Sequence, residues 1–327
     1  MRRLRLYPAL LSAALAAGVA GCAGDQSALS LRGAEAERIG LLFWATTAFL
    51  TLVLIATVLV GWLALRGNPR IRSVIASDRF VIGAGLFFPM VSLAALLVWS
   101  LTVMAQRPVA TDAPFQVRVV GEQWWWRVLY RLPDGTEFES ANELRIPVGR
   151  PVTLTLESAD VIHSFWVPNL AGKVDMIPGR TNRLTVEATT AGVSRGQCAE
   201  YCGGAHALMA FHIVALEEAD FARWLAAERR PANADDAGGA ALFRQFGCGA
   251  CHRIRGIAAA AGHIGPDLTH LGSRQAIGAA TLPNGAEAIA RWIVENQHIK
   301  PENRMPAYRI LSPPELRRLA DFLADLT

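Results

Sequence analysis

The sequence has 327 residues, 52% of them hydrophobic, and a formal charge of +4. That length allows two or three folded units, and so large an apolar share must be gathered into long runs rather than spread over a soluble surface. Residues 1–21 hold Arg2, Arg3 and Arg5 and no acid; without them the charge falls to about 4 − 3 = +1, which excludes nucleic acid as an electrostatic partner.

Residues 1–21 have a basic start, an apolar stretch of small residues and a small-residue end, the pattern of an export signal. The closing Val19-Ala20-Gly21-Cys22 resembles the lipobox of bacterial lipoproteins. That resemblance implies cleavage before Cys22 and acylation of Cys22 as a lipid anchor; the alternative is a plain signal with an incidental cysteine. A short outer segment, 22–38, follows.

No charged residue lies between Arg38 and Arg66, or between Arg79 and Arg107. Each gap is long enough as a helix, about 40 Å, to cross a ~30 Å hydrocarbon core with tilt. Spans are expected at about 39–65 and 80–106, a hairpin occupying 39–106. Its connection carries Arg66, Arg70, Arg72 and Arg79 against Asp78, which the positive-inside rule assigns to the cytoplasm. Everything beyond about residue 107 is then expected on the outer, periplasmic face of a bacterial inner membrane.

From about 115 to 218 the pattern is β. Phe115 to Val120 alternates with period two, Arg183 to Ala188 does so again, and Pro133-Asp134-Gly135 is a turn signal. Short strands at this spacing suggest an antiparallel sandwich or barrel. Residues 219–239 read as a short helix and then a flexible linker. Beyond Gly238 the pattern is helical, and Ser312-Pro313-Pro314-Glu315 makes a good start for a final amphipathic helix.

Five cysteines, Cys22, Cys198, Cys202, Cys248 and Cys251, carry most of the chemistry. Cys198 and Cys202 stand four apart, His206 four further on and Met209 three beyond. Thiolate and thioether favour copper, and imidazole suits it. Zinc is the rival, but a structural zinc site usually takes closer cysteine pairs and makes little use of methionine. The string C-x-E-x-C-x-x-x-H-x-x-M resembles the CuA loop of cytochrome c oxidase subunit II. The resemblance implies two coppers bridged by Cys198 and Cys202, with His206, Met209 and the carbonyl of Glu200 as further ligands. A second histidine, His163, is implied by the similarity of Asp160-Val161-Ile162-His163-Ser164 to the family's D-V-x-H-S motif. It also implies that the Glu200 carboxylate holds magnesium shared with subunit I. Lys173 to Arg180 matches the family's K-x-D-x-x-P-G-R string; His212 matches no ligand position and reads as structural.

Cys248-Gly249-Ala250-Cys251-His252 is the c-type haem attachment motif, covalent through Cys248 and Cys251, with His252 as an axial ligand of the iron. A thioredoxin-like reading lacks the βαβ flanks. Gly265-Pro266-Asp267-Leu268 resembles the loop of class I cytochromes c whose proline carbonyl orients the proximal histidine. Met305 fits that family's distal position and would raise the potential; His298 is the runner-up. His263 and His270 read as surface or packing residues.

Together these resemble the subunit II of caa-type oxidases, with a fused cytochrome c domain. The implied fold is a membrane-anchored multidomain chain: a two-helix transmembrane hairpin, a cupredoxin-like Greek-key β-barrel over 107–226, a linker over 227–238 and an all-α class I cytochrome c domain over 239–327. The implied function is electron input to a haem–copper cytochrome c oxidase, from cytochrome c through haem c and CuA to subunit I, which reduces dioxygen. Trp124 is implied as the point where electrons reach copper. It is expected to be exposed, sharing a strand face with Trp126 while Trp125 faces the other way. Gly121-Glu122-Gln123-Trp124 departs from the family's G-H-Q-W motif at Glu122. Rivals are the small subunit of a CuA-containing nitric oxide reductase and a membrane-anchored copper-delivery protein. A quinol-oxidase variant would lack the copper ligands.

Overall fold

The computed structural model describes residues 24–106, 115–233 and 236–327. The expected leader, Cys22, the first residues of the expected copper domain (107–114) and linker positions 234 and 235 lie outside the described residues.

Two long helices dominate the first part: α1, Ala34–Arg66, and α3, Asp78–Ala105, joined through the short α2, Pro69–Ile75. None of either helix's most apolar stretch is buried. Trp44, Leu52, Trp62, Val91 and Leu97 are all exposed, and a helix apolar all round with no protein cover suits lipid. Helix α1 begins earlier than the charge-free run because Ala34, Glu35, Ala36 and Glu37 are good helix formers. Within α3 the turn Gly83–Phe87 is a π-helix just before Pro89. Proline has no N–H to give and crowds the carbonyl one turn back, and the wider turn relieves both. The Arg38 guanidinium donates to the Gln106 carbonyl at 2.6 Å, and the Phe49 and Phe88 rings lie 6.1 Å apart, so the helices form a hairpin.

The β-domain is built from two five-stranded sheets. In one, β3 (Glu137–Ala141), β2 (Trp125–Arg131), β1 (Gln116–Glu122), β5 (Val152–Ser158) and β8 (Asn182–Val186) lie in that order. In the other the order is β4 (Glu143–Pro147), β10 (Ala210–Leu216), β9 (Gly192–Cys198), β6 (His163–Trp166) and β7 (Val174–Met176). The β1–β5 and β4–β10 pairs are parallel, a departure from the purely antiparallel arrangement expected, made possible because long crossovers separate the paired strands. Alternation decides what is inside: Val117 and Val119 of β1 are buried while Gln116 and Arg118 are exposed. Between the sheets Trp126, Phe165 and Phe211 pack with centroid separations of 4.5–5.8 Å. Pairing of β6 with β9 sets Phe165 opposite Cys198 and so brings His163 beside the cysteine loop. Helix α4, Glu218–Glu228, closes the domain with Phe221 on Phe115.

The C-terminal domain holds α5 (Ala237–Gln245), α6 (Ala286–Ile299) and α7 (Pro313–Ala324), with a two-residue ladder between β11 (Ala276–Ile277) and β12 (Leu282–Pro283). Asp236 caps α5 through the amides of Gly238 and Gly239, and Ser312 with Glu315 forms a capping box on α7. Phe243, Ile289, Ile293, Leu319 and Phe322 fill the core.

The segment between the two domains corrects the expectation of a flexible tether. Arg229 pairs with Asp134; Arg255 donates to the Glu228 and Arg229 carbonyls at 2.6 and 3.3 Å; the Ala232 amide donates to Arg255 at 3.0 Å. Alanine-rich composition suggests a free coil, but Arg255 binds its carbonyls and Arg229 ties it to Asp134. The two domains fall in one compact unit. Their interface captures backbone: Arg127 donates to the His263 carbonyl, Arg145 to Ser273 and Arg195 to Ala280, while Glu143 accepts from the Gln275 amide.

Candidate functional site

Strand β9 delivers Cys198 at its end, and the loop that follows turns back on itself before β10. The Cys198 and Cys202 sulfurs lie 3.8 Å apart, too far for a disulfide. His206 Nδ1 is 3.4 Å from the Cys202 sulfur, the Met209 sulfur 3.8 Å from it, and the Glu200 carbonyl 3.2 Å from the Cys198 sulfur. From β6, His163 Nδ1 comes within 3.9 Å of the Cys198 sulfur. Both cysteines, His163 and Met209 are buried.

His163 is held from behind. Its Nε2 lies 2.8 Å from the Asp160 carboxylate, which accepts only, so the proton sits on Nε2 and Nδ1 keeps the lone pair facing the sulfurs. Burial disfavours the imidazolium, but the bonds to Cys198 and Asp160 outweigh it and raise the His163 pKa. The bond from Cys202 pulls the Cys198 thiol strongly down, so the pair shares one thiolate readily. Gly121 makes room: a Cβ there would stand 2.8 Å from the His163 ring.

A second cavity opens in the C-terminal domain, lined by Cys248, Cys251, His252, Pro266, Arg274 and Met305, with Trp124 and Trp125 of the β-domain at its wall. His252 Nδ1 donates to the Pro266 carbonyl at 2.8 Å, leaving Nε2 as the ligand atom. Burial lowers the His252 pKa and keeps it neutral. A Cβ on Gly265 would stand 2.5 Å from the His252 ring, so glycine is needed there. Met305 lines the cavity; His298 is exposed and does not.

Two family models match the chain: the periplasmic domain of cytochrome c oxidase subunit II over residues 136–216 and cytochrome c over residues 237–327. Cytochrome c oxidase subunit 2 of Alkalihalophilus pseudofirmus is 31% identical over 324 residues, covering 94% of this chain and 93% of that one. The chain belongs to the cytochrome c oxidase subunit 2 family. The Bacillus subtilis subunit 2 is 31% identical over 223 residues, 64% of this chain and 62% of its own. The solved periplasmic domain of subunit II from Bradyrhizobium japonicum is 33% identical, covering 37% of this chain and 97% of that one with a TM-score of 0.34.

A subunit II periplasmic domain implies the dinuclear copper centre, and a fused cytochrome c domain implies haem c. The residues of this family member fit both. The copper loop offers two thiolates that can bridge, two imidazoles, a thioether and a carbonyl, a soft set suited to copper. The haem cavity sets two cysteines, a neutral histidine and a methionine around an apolar space.

One expectation is corrected. Trp124 is only 7% exposed and is not on a strand: β1 ends at Glu122 and β2 begins at Trp125, so strand alternation does not pass through it. Its indole N–H donates to the Cys202 carbonyl at 3.0 Å, its own carbonyl accepts from Lys300 of the C-terminal domain, and it lines the cavity there. Trp126 is in the barrel core, and Trp125 lies half-buried under the Arg127 guanidinium.

Glu122, where the family often has histidine, accepts from Arg127 at 2.6 Å; Arg127 also bonds Glu139 and the His263 carbonyl. Glu122 thereby helps hold a guanidinium that reaches the C-terminal domain. Sequence reasoning missed Gln123, whose side chain also donates to the Cys202 carbonyl at 2.9 Å, and Lys300. Only position in the G-E-Q-W motif hinted at Gln123; nothing local marked Lys300. His270 is buried against the Arg230 carbonyl, and His212 lies on β10 with burial lowering its pKa.

Proposed function

We propose that this chain is the electron-input subunit of a membrane-bound haem–copper cytochrome c oxidase, taking electrons from a cytochrome c-type donor and passing them to subunit I for dioxygen reduction. Bound in their sites, haem c and the copper pair supply two one-electron carriers that change charge with little rearrangement. Cys248 and Cys251 would attach the haem, and His252 and Met305 would hold its iron. Cys198 and Cys202 would hold the copper pair together with His163, His206, Met209 and the Glu200 carbonyl. Asp160 fixes the His163 tautomer, Pro266 fixes that of His252, and the barrel core excludes water from the cysteines.

Trp124 is the link between the sites rather than an open docking surface for an external donor, because it touches the Cys202 carbonyl and walls the haem cavity. That shared residue carries the reading. Glu200 turns its carbonyl to Cys198 and leaves its side chain exposed. We place its carboxylate on a magnesium ion whose other ligands come from subunit I. The arginine-rich connection of the hairpin lies in the cytoplasm and both soluble domains in the periplasm, with Cys22 as a lipid anchor after removal of the leader.

Metal analysis tests the assignment. The purified chain should hold copper and haem iron in a ratio near two, and Cys202→Ser should abolish the mixed-valence copper spectrum. A ratio near one, or stoichiometric zinc, overturns it.

A further inference from the structure

Lys300 ends helix α6 and is 3% exposed. Its ammonium donates to three carbonyls: Trp124 at 2.5 Å, Leu208 at 2.9 Å and Gly278 at 3.3 Å. An ammonium has three donors, so all are used, and no carboxylate pairs with it in these bonds. A buried cation is costly unless its donors are satisfied. A sequence that needed only adhesion would place an apolar side chain here.

The three acceptors belong to the β1–β2 turn, the copper loop and the haem domain. Leu208 lies between His206 and Met209, and Trp124 bonds Cys202 through its indole. On the other side the Lys300 carbonyl accepts from Asn303 Nδ2 at 2.7 Å, and Asn303 Oδ1 accepts from the Met305 amide at 3.0 Å. A continuous chain of bonds thus runs from Met305 through Asn303 and Lys300 to the copper loop. Of the arginines that bind backbone across the interface, Arg127 and Arg145 reach the His263 and Ser273 carbonyls, outside these segments, while Arg195 holds Ala280 in the same turn as Gly278.

We propose that Lys300 is a positioning residue for electron transfer, holding the Trp124 turn and the copper loop in register with the haem cavity. The inference rests on the functional reading above. It separates adhesion, shared by many contacts, from registration, which Lys300 supplies.

The test uses the full chain loaded with copper and haem. Lys300→Met should slow flash-initiated haem-to-copper transfer about tenfold or more, since small misplacements cost large factors. Both metal spectra should persist, and amide exchange at Leu208 and Trp124 should rise. Arg145→Gln, which loosens the interface at Ser273 instead, should change the rate less than about twofold. Asn303→Ala tests the same chain without touching the buried charge and should also slow transfer, which keeps the test available if Lys300→Met does not fold. An unchanged rate in Lys300→Met, or in Asn303→Ala where it stands in, overturns the proposal, and so does an equal fall in Arg145→Gln. A wild-type chain that binds no copper pair defeats the functional reading and this inference with it; wild-type transfer insensitive to Lys300 defeats the inference alone.

Discussion

The copper loop and the haem cavity are built on opposite plans. The copper donors crowd together, with neighbouring contacts of 3.2–3.9 Å. They stand on strands whose register is fixed by a core of Trp126, Phe165 and Phe211. The haem domain is arranged around a space: Cys248, Cys251, His252 and Met305 are only partly buried. At the cavity's edge the buried Arg274 Nε and, behind it, Asp267 Oδ2 have no hydrogen-bond partner. A rigid scaffold can shape a metal site before the metal arrives. A small helical domain with a hollow core gets much of its order from the group that fills it.

The largest expected effect breaks that symmetry outright. Replacing both attachment cysteines, Cys248→Ser with Cys251→Ser, should abolish retained haem and most of the haem domain's cooperative unfolding. Removing copper with a chelator should leave the barrel folded. Separate calorimetric transitions would show this; a haem domain equally stable without haem would remove the distinction.

A smaller effect concerns the distal side. Met305→Ala should keep haem attached, because the thioethers do not depend on it. It should lower the potential, abolish any sulfur-to-iron charge-transfer band, and cost about 2 kcal/mol of domain stability. His298→Ala should leave the spectrum alone, since His298 is exposed. The reverse pattern would reassign the ligand.

The ligand-bearing loop was legible because five of the six donor residues fall within Cys198–Met209, where chain proximity does the gathering. His163 was legible only through its motif; strand pairing brings it there. Trp124 and Lys300 were not legible as partners, being 176 residues apart and joined only when two domains dock. The linker misled for the same reason: composition describes a chain alone, while Arg229 and Arg255 bind that segment to folded neighbours. The hairpin could be read from charge-free length, which the membrane itself imposes.

The smallest expected effect is on acid stability. The Arg318 guanidinium, followed by the Gly238 and Gly239 amides, lowers the Asp236 pKa from 3.8 to about 2. A lowered carboxylate stabilises the folded form above its unfolded pKa, and that contribution fades as pH falls from about 4 through about 2. Asp236→Ala should therefore lower the haem domain's melting temperature slightly at neutral pH and make no difference near pH 2. A gap that persists there would mean the cap acts without its charge.

The central claim is that the two carriers work as one docked unit within a single chain. Flash-initiated haem-to-copper transfer in the intact wild-type chain, measured across a wide range of protein concentration, tests it directly. The account predicts a single first-order rate that does not change with concentration. A rate rising in proportion to concentration would show transfer between chains and contradict it.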